Sequence, residues 1–202
     1  MLFRSDSRDI LTIKGLIRRG EARTASSYNN IPLDRVHFLD LPFYETGKIQ
    51  KNPISEADVE IVRNLLREIK PHQIFVAGDL ADPHGTHRVC TDAVFAAVDL
   101  EKEEGAKWLK DCRIWMYRGA WAEWEIENIE MAVPISPEEL RAKRNSILKH
   151  QSQMESAPFL GNDERLFWQR SEDRNRGTAT LYDQLGLASY EAMEAFVEYI
   201  PL

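Results

Sequence analysis

The chain has 202 residues, of which 43% are hydrophobic and 29% charged, with a formal net charge of −7. This length suits one domain with a substantial core. An acidic chain without a concentrated basic stripe argues against nucleic-acid binding. No apolar run approaches the roughly 20 residues of a membrane helix, and the N-terminus is too quickly charged for a signal peptide. The two cysteines, Cys90 and Cys112, favour free thiols over a disulfide. We therefore expect one soluble, cytoplasmic domain.

The first half of the chain alternates helical and extended patterns. Apolar residues at helical spacing, including Ile10, Ile13 and Ile17, predict a helix from about Arg8 to Ala25. The β-branched and aromatic run Val36–Leu41 predicts a strand. A capped apolar pattern predicts a second helix over Ser55–Lys70. Because another apolar run follows at residues 74–77, this helix is expected to connect two parallel strands.

The second half continues the alternation. The patterns predict a helix over Thr86–Leu100, strands at Arg113–Tyr117 and Glu130–Ile135, and a helix from Ser136 to about His150. The charged segment Gly161–Gly177 is interpreted as a flap or partner surface, and Tyr190–Tyr199 is left open between helix and strand. The predicted fold class is α/β: a three-layer, Rossmann-like, mostly parallel sheet flanked by helices.

The stretch after the strand at residues 74–77 concentrates polar side chains. Asp79, Asp82, His84 and His87 lie within nine residues. Ligands and chemistry gather at the carboxyl ends of strands in open α/β sheets, so this loop is the active-site candidate. Histidines at i and i+3 can face one metal or substrate, although a catalytic zinc usually needs three protein ligands. The alternative is that Asp82 and Thr86 cap the following helix and the histidines are ordinary loop residues.

Four segments of the sequence form an ordered set: Arg18-Arg19-Gly20-Glu21-Ala22, Val36–Pro42, Asp82-Pro83-His84-Gly85-Thr86-His87-Arg88 and Lys149-His150-Gln151-Ser152-Gln153. Taken in this order, they resemble the LmbE/PIG-L family of metal-dependent N-deacetylases. Gly85-Thr86 departs from the family's His-Pro-Asp-His-Arg. The residues of these segments are most similar to those in the C-terminal part of long glucosamine-6-phosphate deaminase (NagB-like) proteins of the Bacteroides type.

The family's opening His-Pro-Asp-Asp motif has no counterpart in this sequence. His37-x-x-Asp40 imitates its spacing, but residues three apart in a strand point to opposite faces, so we reject it as a site. We expect residues 1–202 to form a single LmbE/PIG-L-like domain that is N-terminally incomplete and lacks the first strand of the fold. The missing motif supplies the family's catalytic base and two metal ligands, so the resemblance implies low activity for this chain alone.

The resemblance implies a zinc-dependent hydrolase acting on an N-acetylglucosamine-type amino sugar. His87 would bind the metal, His84 would stabilise the oxyanion or protonate the leaving amine, and Asp82 would orient an imidazole. His150 is a candidate substrate-binding residue from the same resemblance. Tyr44 and Trp121 are candidate sugar-stacking residues, unless they only cover the core or an interface.

The alternative function is a catalytically idle module that binds a sugar phosphate or supports a fused deaminase. The expected partners are a small amino-sugar substrate and either an upstream deaminase domain or a second copy of the chain. A nucleotide-binding Rossmann domain is disfavoured because no Gly-x-Gly-x-x-Gly follows a strand.

Overall fold

The computed structural model describes residues 7–44, 52–78, 85–120, 122–154 and 164–201. Its helices are α1 (Arg8–Tyr28), α2 (Glu56–Ile69), α3 (Thr86–Glu103), α4 (Pro137–Ile147), α5 (Gln151–Met154) and α6 (Phe167–Gln184). Its strands are β1 (Gln73–Ala77), β2 (Arg113–Tyr117), β3 (Met131–Ile135) and β4 (Ala192–Tyr199). Short 3₁₀ turns occupy Leu33–Arg35, Pro42–Tyr44, Lys107–Asp111 and Ile126–Asn128.

The four described strands form one sheet in the order β1-β2-β4-β3. β1 pairs parallel with β2, and β4 runs antiparallel to both β2 and β3. Three strands therefore point one way and one points the other. This mixed α/β sheet flanked by helices confirms the predicted fold class. The connection β1–α3–β2 is its parallel crossover.

One face of the sheet is closed by α2 and α3. Val62 and Leu66 of α2 pack with Ala97 of α3 and with Val76 and Ile114 of the sheet in a single buried cluster. Two arginines of α2, Arg63 and Arg67, each bind Glu101 of α3 at 2.6 Å. Apolar packing and these ion pairs together fix α2 against α3.

The other face of the sheet is covered by α4 and α6. Glu194 of β4 faces these helices, where it pairs with Lys143 of α4 and Arg174 of α6. The strand assignment for Ala192–Tyr199 resolves the ambiguity that the sequence left open. The flap predicted for Gly161–Gly177 is wrong for Phe167–Gly177, which belongs to α6.

Residues 36–41 do not form a strand, so the strand predicted there and the crossover through α2 are both wrong. The segment has no regular secondary structure and pairs with no strand of the described structure. It is held by side chains instead: Leu39 and Leu41 pack against the core cluster. At its end, the backbone N–H of Phe43 donates to the buried carboxylate of Asp58, 2.9 Å away. Hydrogen bonds from Ser55 and Phe43 outweigh the effect of burial and lower the pKa of Asp58.

The α1 helix extends three residues beyond its predicted end, but its apolar face does not point into a core. Its exposed large apolar side chains are Ile10, Leu11, Ile13, Leu16 and Ile17. Ala25 is its buried residue. The two cysteines form no disulfide, as predicted, but Cys90 is exposed and Cys112 is half-buried. None of the described helices is long and apolar enough to cross a membrane.

Candidate functional site

The carboxyl end of β1 is fixed tightly in place. The Gly78 N–H donates to the Tyr117 carbonyl at 2.8 Å, and the Thr91 hydroxyl donates to the Ala77 carbonyl at 2.7 Å. A Cβ at Gly78 would lie 2.7 Å from Trp124 and 2.8 Å from Met116. Only glycine fits at position 78. The end of β1, just before the candidate loop, is therefore held in one position.

Three of the predicted site residues, Asp82, His84 and Trp121, lie outside the described residues. His87 is exposed in the first turn of α3. Gly85, with φ of 68°, is the N-cap of α3, and no side chain among the described residues caps this helix end. The alternative that Thr86 is the cap is therefore wrong, since Thr86 is the first helical residue. His87 thus stands at a helix start beside the carboxyl end of β1.

The two other predicted substrate-binding residues lie on different elements. Tyr44 ends a 3₁₀ turn and is 45% exposed, with its ring edge-on to the buried Phe43 at 6.1 Å between centroids. His150 is half-buried between α4 and α5. Phe43, next to Tyr44, is buried and packs in the core. No contact joins Tyr44, His87 and His150 into one site within the described structure.

A bound metal would need ligands beyond those that the described residues bring together. Within residues 7–44, 52–78, 85–120, 122–154 and 164–201, no three His, Cys, Asp or Glu side chains are grouped closely enough to hold one. His87 could supply one imidazole. The described residues alone therefore do not fit a catalytic zinc with three protein ligands.

Three of the resembling segments meet on α1. The carboxylate of Glu21 accepts hydrogen bonds from the backbone N–H and the hydroxyl of Ser152, at 2.7 and 2.6 Å. The Ser152 hydroxyl bond, helped by the nearby charge of His150, holds the pKa of Glu21 below its usual value. Arg19 forms an ion pair with Asp40. Arg19 and Glu21 therefore make two separate, partly exposed contacts.

This network joins segments that lie far apart in the sequence. Glu21 binds Ser152 in the first turn of α5, and Arg19 binds Asp40 in the segment 36–41. The guanidinium groups of Arg19 and Arg23 both lie 5.3 Å from the ring centre of Phe38, a favourable cation–π distance. The motif residues on α1 thus position His150 and the chain leading to Tyr44.

A charged cavity at the carboxyl end of β2 was missed by the sequence analysis. It has a volume of about 360 Å³ and is lined by aromatic residues of the sheet and by Lys143, Arg174 and Glu194. Lys143 Nζ lies 2.5 Å from Glu194 and donates to Asn175 at 2.7 Å. Arg174 pairs with Glu194 and, at 2.7 Å, with Glu123.

Burial and pairing shift the pKa values of these groups. Burial lowers the pKa of Lys143, and its attraction to Glu194 offsets only part of that effect. Burial alone would raise the pKa of Glu194, but the charges of Arg174 and Lys143 outweigh it and hold the pKa below its ordinary value. Burial, with the nearby charge of Glu194, also raises the pKa of Tyr117. Such shifts are common in binding and catalytic sites.

Apolar periodicity could not have found this cavity. The buried face of α6 is largely polar, and consists of Ser171, Glu172, Asn175, Thr178 and Ala179. A helix that buries hydroxyl, amide and carboxylate groups has no apolar stripe in its sequence. The one available signal was Glu194-Ala195-Phe196, which lies in the run Tyr190–Tyr199 that the sequence analysis left open between helix and strand.

Comparison with solved structures supports the fold described above. No family model matches the sequence. The conserved protein TT1542 from Thermus thermophilus superposes with a TM-score of 0.59 and 17% identity, over 100% of this chain and 78% of its own. A deacetylase of the teicoplanin biosynthesis pathway, crystallised as a bog complex, superposes with a TM-score of 0.50 and 16% identity. That match covers 91% of this chain and 73% of the deacetylase. At these identities the likeness shows a shared fold.

Proposed function

We propose that this chain is a hydrolase module of the deacetylase type, which cleaves the amide of an N-acetylated amino sugar. The observation that carries the proposal is the network on α1, where Glu21 binds Ser152 and Arg19 binds Asp40. It joins three of the four segments that resemble the N-deacetylases. The fold is also shared with a deacetylase.

The proposed chemistry takes place at the carboxyl end of β1. Amide hydrolysis adds water to the carbonyl carbon, breaks the C–N bond and delivers a proton to the departing amine. In the proposal His84 donates that proton or stabilises the oxyanion, and Asp82 orients an imidazole. His150, Tyr44 and Trp121 are the proposed contacts to the sugar.

The proposed cofactor is a divalent metal, with zinc preferred and His87 as one ligand. Zinc in such sites activates water and polarises a carbonyl. Because the described residues do not supply three ligands, we derive no step through the metal. The remaining ligands in this proposal come from outside the described residues, so we expect slow turnover from this chain alone.

The proposal is tested by acetate release from N-acetylglucosamine in the presence of added zinc. We expect slow release that is lost in His84→Ala and in His87→Ala. The control is His72→Ala, since His72 is also exposed but lies at the start of β1, away from the candidate loop. Release that is equal in all four proteins, or absent in all four, would refute the hydrolase proposal.

One observation favours a second function, binding of a sugar phosphate without turnover. The cavity at β2 is lined by the rings of Phe75, Tyr117 and Phe196, which can stack on a sugar. Arg118 and Lys143 also line it, and a guanidinium or ammonium group can bind a phosphate. Saturable binding of glucosamine 6-phosphate that weakens in Lys143→Met, combined with no acetate release, would support this idle module over the hydrolase. It would fit the proposed support of a fused deaminase domain.

A further inference from the structure

Lys143 brings an amine into the aromatic cavity at the carboxyl end of β2. The residue lies on α4, and its side chain is 28% exposed. Phe75, Tyr117 and Phe196 of the sheet line the same cavity. A lysine amine is normally surrounded by water, and its charged form is disfavoured where protein groups replace that water. Lys143 is therefore a partly desolvated amine that a small molecule in the cavity can still reach.

The amine of Lys143 is held in a fixed position. An ammonium group has three N–H donors. Among the described residues, the Glu194 carboxylate accepts one of them at 2.5 Å and the Asn175 amide oxygen accepts another at 2.7 Å. Asn175 is itself fixed, because its amide nitrogen donates to the Met193 carbonyl at 2.7 Å. The nitrogen is therefore positioned at the cavity wall before any ligand binds.

A second cation competes with Lys143 for its carboxylate. Arg174 pairs with the other oxygen of Glu194 and, at 2.7 Å, with Glu123. Burial, and after it the charge of Arg174, lower the pKa of Lys143, and attraction to Glu194 offsets only part of this effect. Arginine keeps its proton in proteins. A proton that passes from Lys143 to Glu194 therefore leaves an uncharged pair beside the intact ion pair of Arg174 and Glu123.

Tyr117 adds a neutral hydrogen-bond donor to the same cavity. It is the last residue of β2 and lines the cavity together with Lys143. Burial, and after it the charge of Glu194, raise the pKa of Tyr117, so its hydroxyl keeps its proton at neutral pH. A phenol O–H can donate to the oxygen of a bound carbonyl compound and polarise it. The cavity thus combines an amine, a carboxylate and a hydroxyl donor.

We propose that Lys143 forms an imine with a small aldehyde bound in this cavity, with Glu194 as the group that takes up and returns the proton. A desolvated lysine beside another cation is a recurring setting for an amine nucleophile. Phe75 and Phe196 meet edge-on, with 5.4 Å between ring centroids, and such aromatic walls favour an aldehyde with a flat apolar body. This reaction uses residues other than those proposed for amide hydrolysis and does not depend on that proposal.

The imine forms without any further reactant. The Lys143 ammonium gives one proton to Glu194, and the amine nitrogen then attacks the carbonyl carbon as the C=O π bond opens. A second proton moves from this nitrogen to the former carbonyl oxygen. Glu194 returns its proton to the same oxygen, the C–O bond breaks and water leaves, while the nitrogen lone pair completes the C=N bond. One ammonium and one aldehyde thus yield one protonated imine and one water.

The test is reductive trapping of the full chain at neutral pH with benzaldehyde and sodium cyanoborohydride. The hydride donor reduces the C=N bond to a stable secondary amine, which peptide mass spectrometry assigns to a residue. Initial labelling rates are compared between Lys143 and two exposed lysines that do not line the cavity, Lys70 and Lys107. The control is the same chain unfolded in urea, because it keeps every lysine and loses the cavity.

We expect Lys143 to be labelled about tenfold faster than Lys70 or Lys107 in the folded chain, because more of it is free amine at neutral pH. The three rates should become equal in urea. Lys143→Arg, which keeps the positive charge beside Glu194, should lose the fast site and leave labelling of Lys70 and Lys107 unchanged. A purely structural ion pair would instead make Lys143 the slowest of the three. Folded-state labelling of Lys143 that is no faster than that of Lys70 and Lys107, or a preference that persists in urea, would overturn the inference.

Discussion

Arg174 pairs with two largely buried carboxylates, those of Glu123 and Glu194. Its side chain is 6% exposed and joins Glu123 of a loop to Glu194 of β4. The Asn175 amide of the same helix donates to the Met193 carbonyl at 2.7 Å. Removing Arg174 would leave two carboxylates near each other in a largely buried position. Lys143 alone could not neutralise both.

We expect Arg174→Ala to lower the free energy of unfolding by about 3–5 kcal/mol, the usual cost of breaking a buried ion pair from one side. The measurement is urea denaturation at neutral pH. The control is Arg141→Ala, which breaks an exposed pair with Glu138 and should cost at most about 1 kcal/mol. If Arg174→Ala does not fold, Arg174→Lys gives the intermediate case. Equal losses for Arg174→Ala and Arg141→Ala would contradict the structural role.

Individual residues differ in how well the sequence could predict their position. His87 could be placed at a helix start because the apolar strand, the loop and the helix each leave a local pattern. Asp58 could be expected near a helix start but not in a buried bond to Phe43, which is fifteen residues away. Lys143 and Arg174 resemble ordinary helix-surface charges, since only the tertiary fold brings Glu194 between them.

Gly15 in α1 and Gly78 at the end of β1 have different surroundings, so substitutions at these glycines test the structure of the two elements. A Cβ added at Gly15, within α1, would have no atom within 4 Å, whereas Gly78 at the end of β1 has no room for one. Packing by the described residues therefore does not require glycine at position 15.

We expect Gly15→Ala to stabilise the protein by up to about 1 kcal/mol, because alanine favours the helix. Gly78→Ala should destabilise it, since Trp124 and Met116 must move. Thermal unfolding of both variants beside the parent chain measures the two effects. A Gly78→Ala protein as stable as Gly15→Ala would show that β1 does not approach Trp124 as described.

At the scale of elements, the sequence predicted those with a clear apolar period. The α2 helix, the β1 strand and the β2 strand were placed within a residue or two, because their buried faces are apolar. The α6 helix was missed because its buried face is polar. The run at residues 36–41 has strand-like composition but no described neighbour to pair with, and composition alone does not create a ladder.

At the scale of the whole molecule, the order of elements was enough to predict the fold class. Strand, helix and strand in succession favour a parallel crossover, and β1–α3–β2 is one. The reversed direction of β4 was not predictable, because Ala192–Tyr199 could be read as either helix or strand. The convergence of α1, segment 36–41 and α5 was suggested only by the resemblance, since hydrogen bonds between distant side chains leave no local pattern.

The central proposal is that His87 holds a catalytic metal at the carboxyl end of β1. The most direct measurement is zinc affinity, by competition with a chromophoric chelator, for the parent chain, His87→Ala and His72→Ala. We expect one weakly bound zinc per chain, lost in His87→Ala and retained in His72→Ala. Zinc affinity that is unchanged in His87→Ala, or no zinc binding by the parent chain, would contradict the proposal.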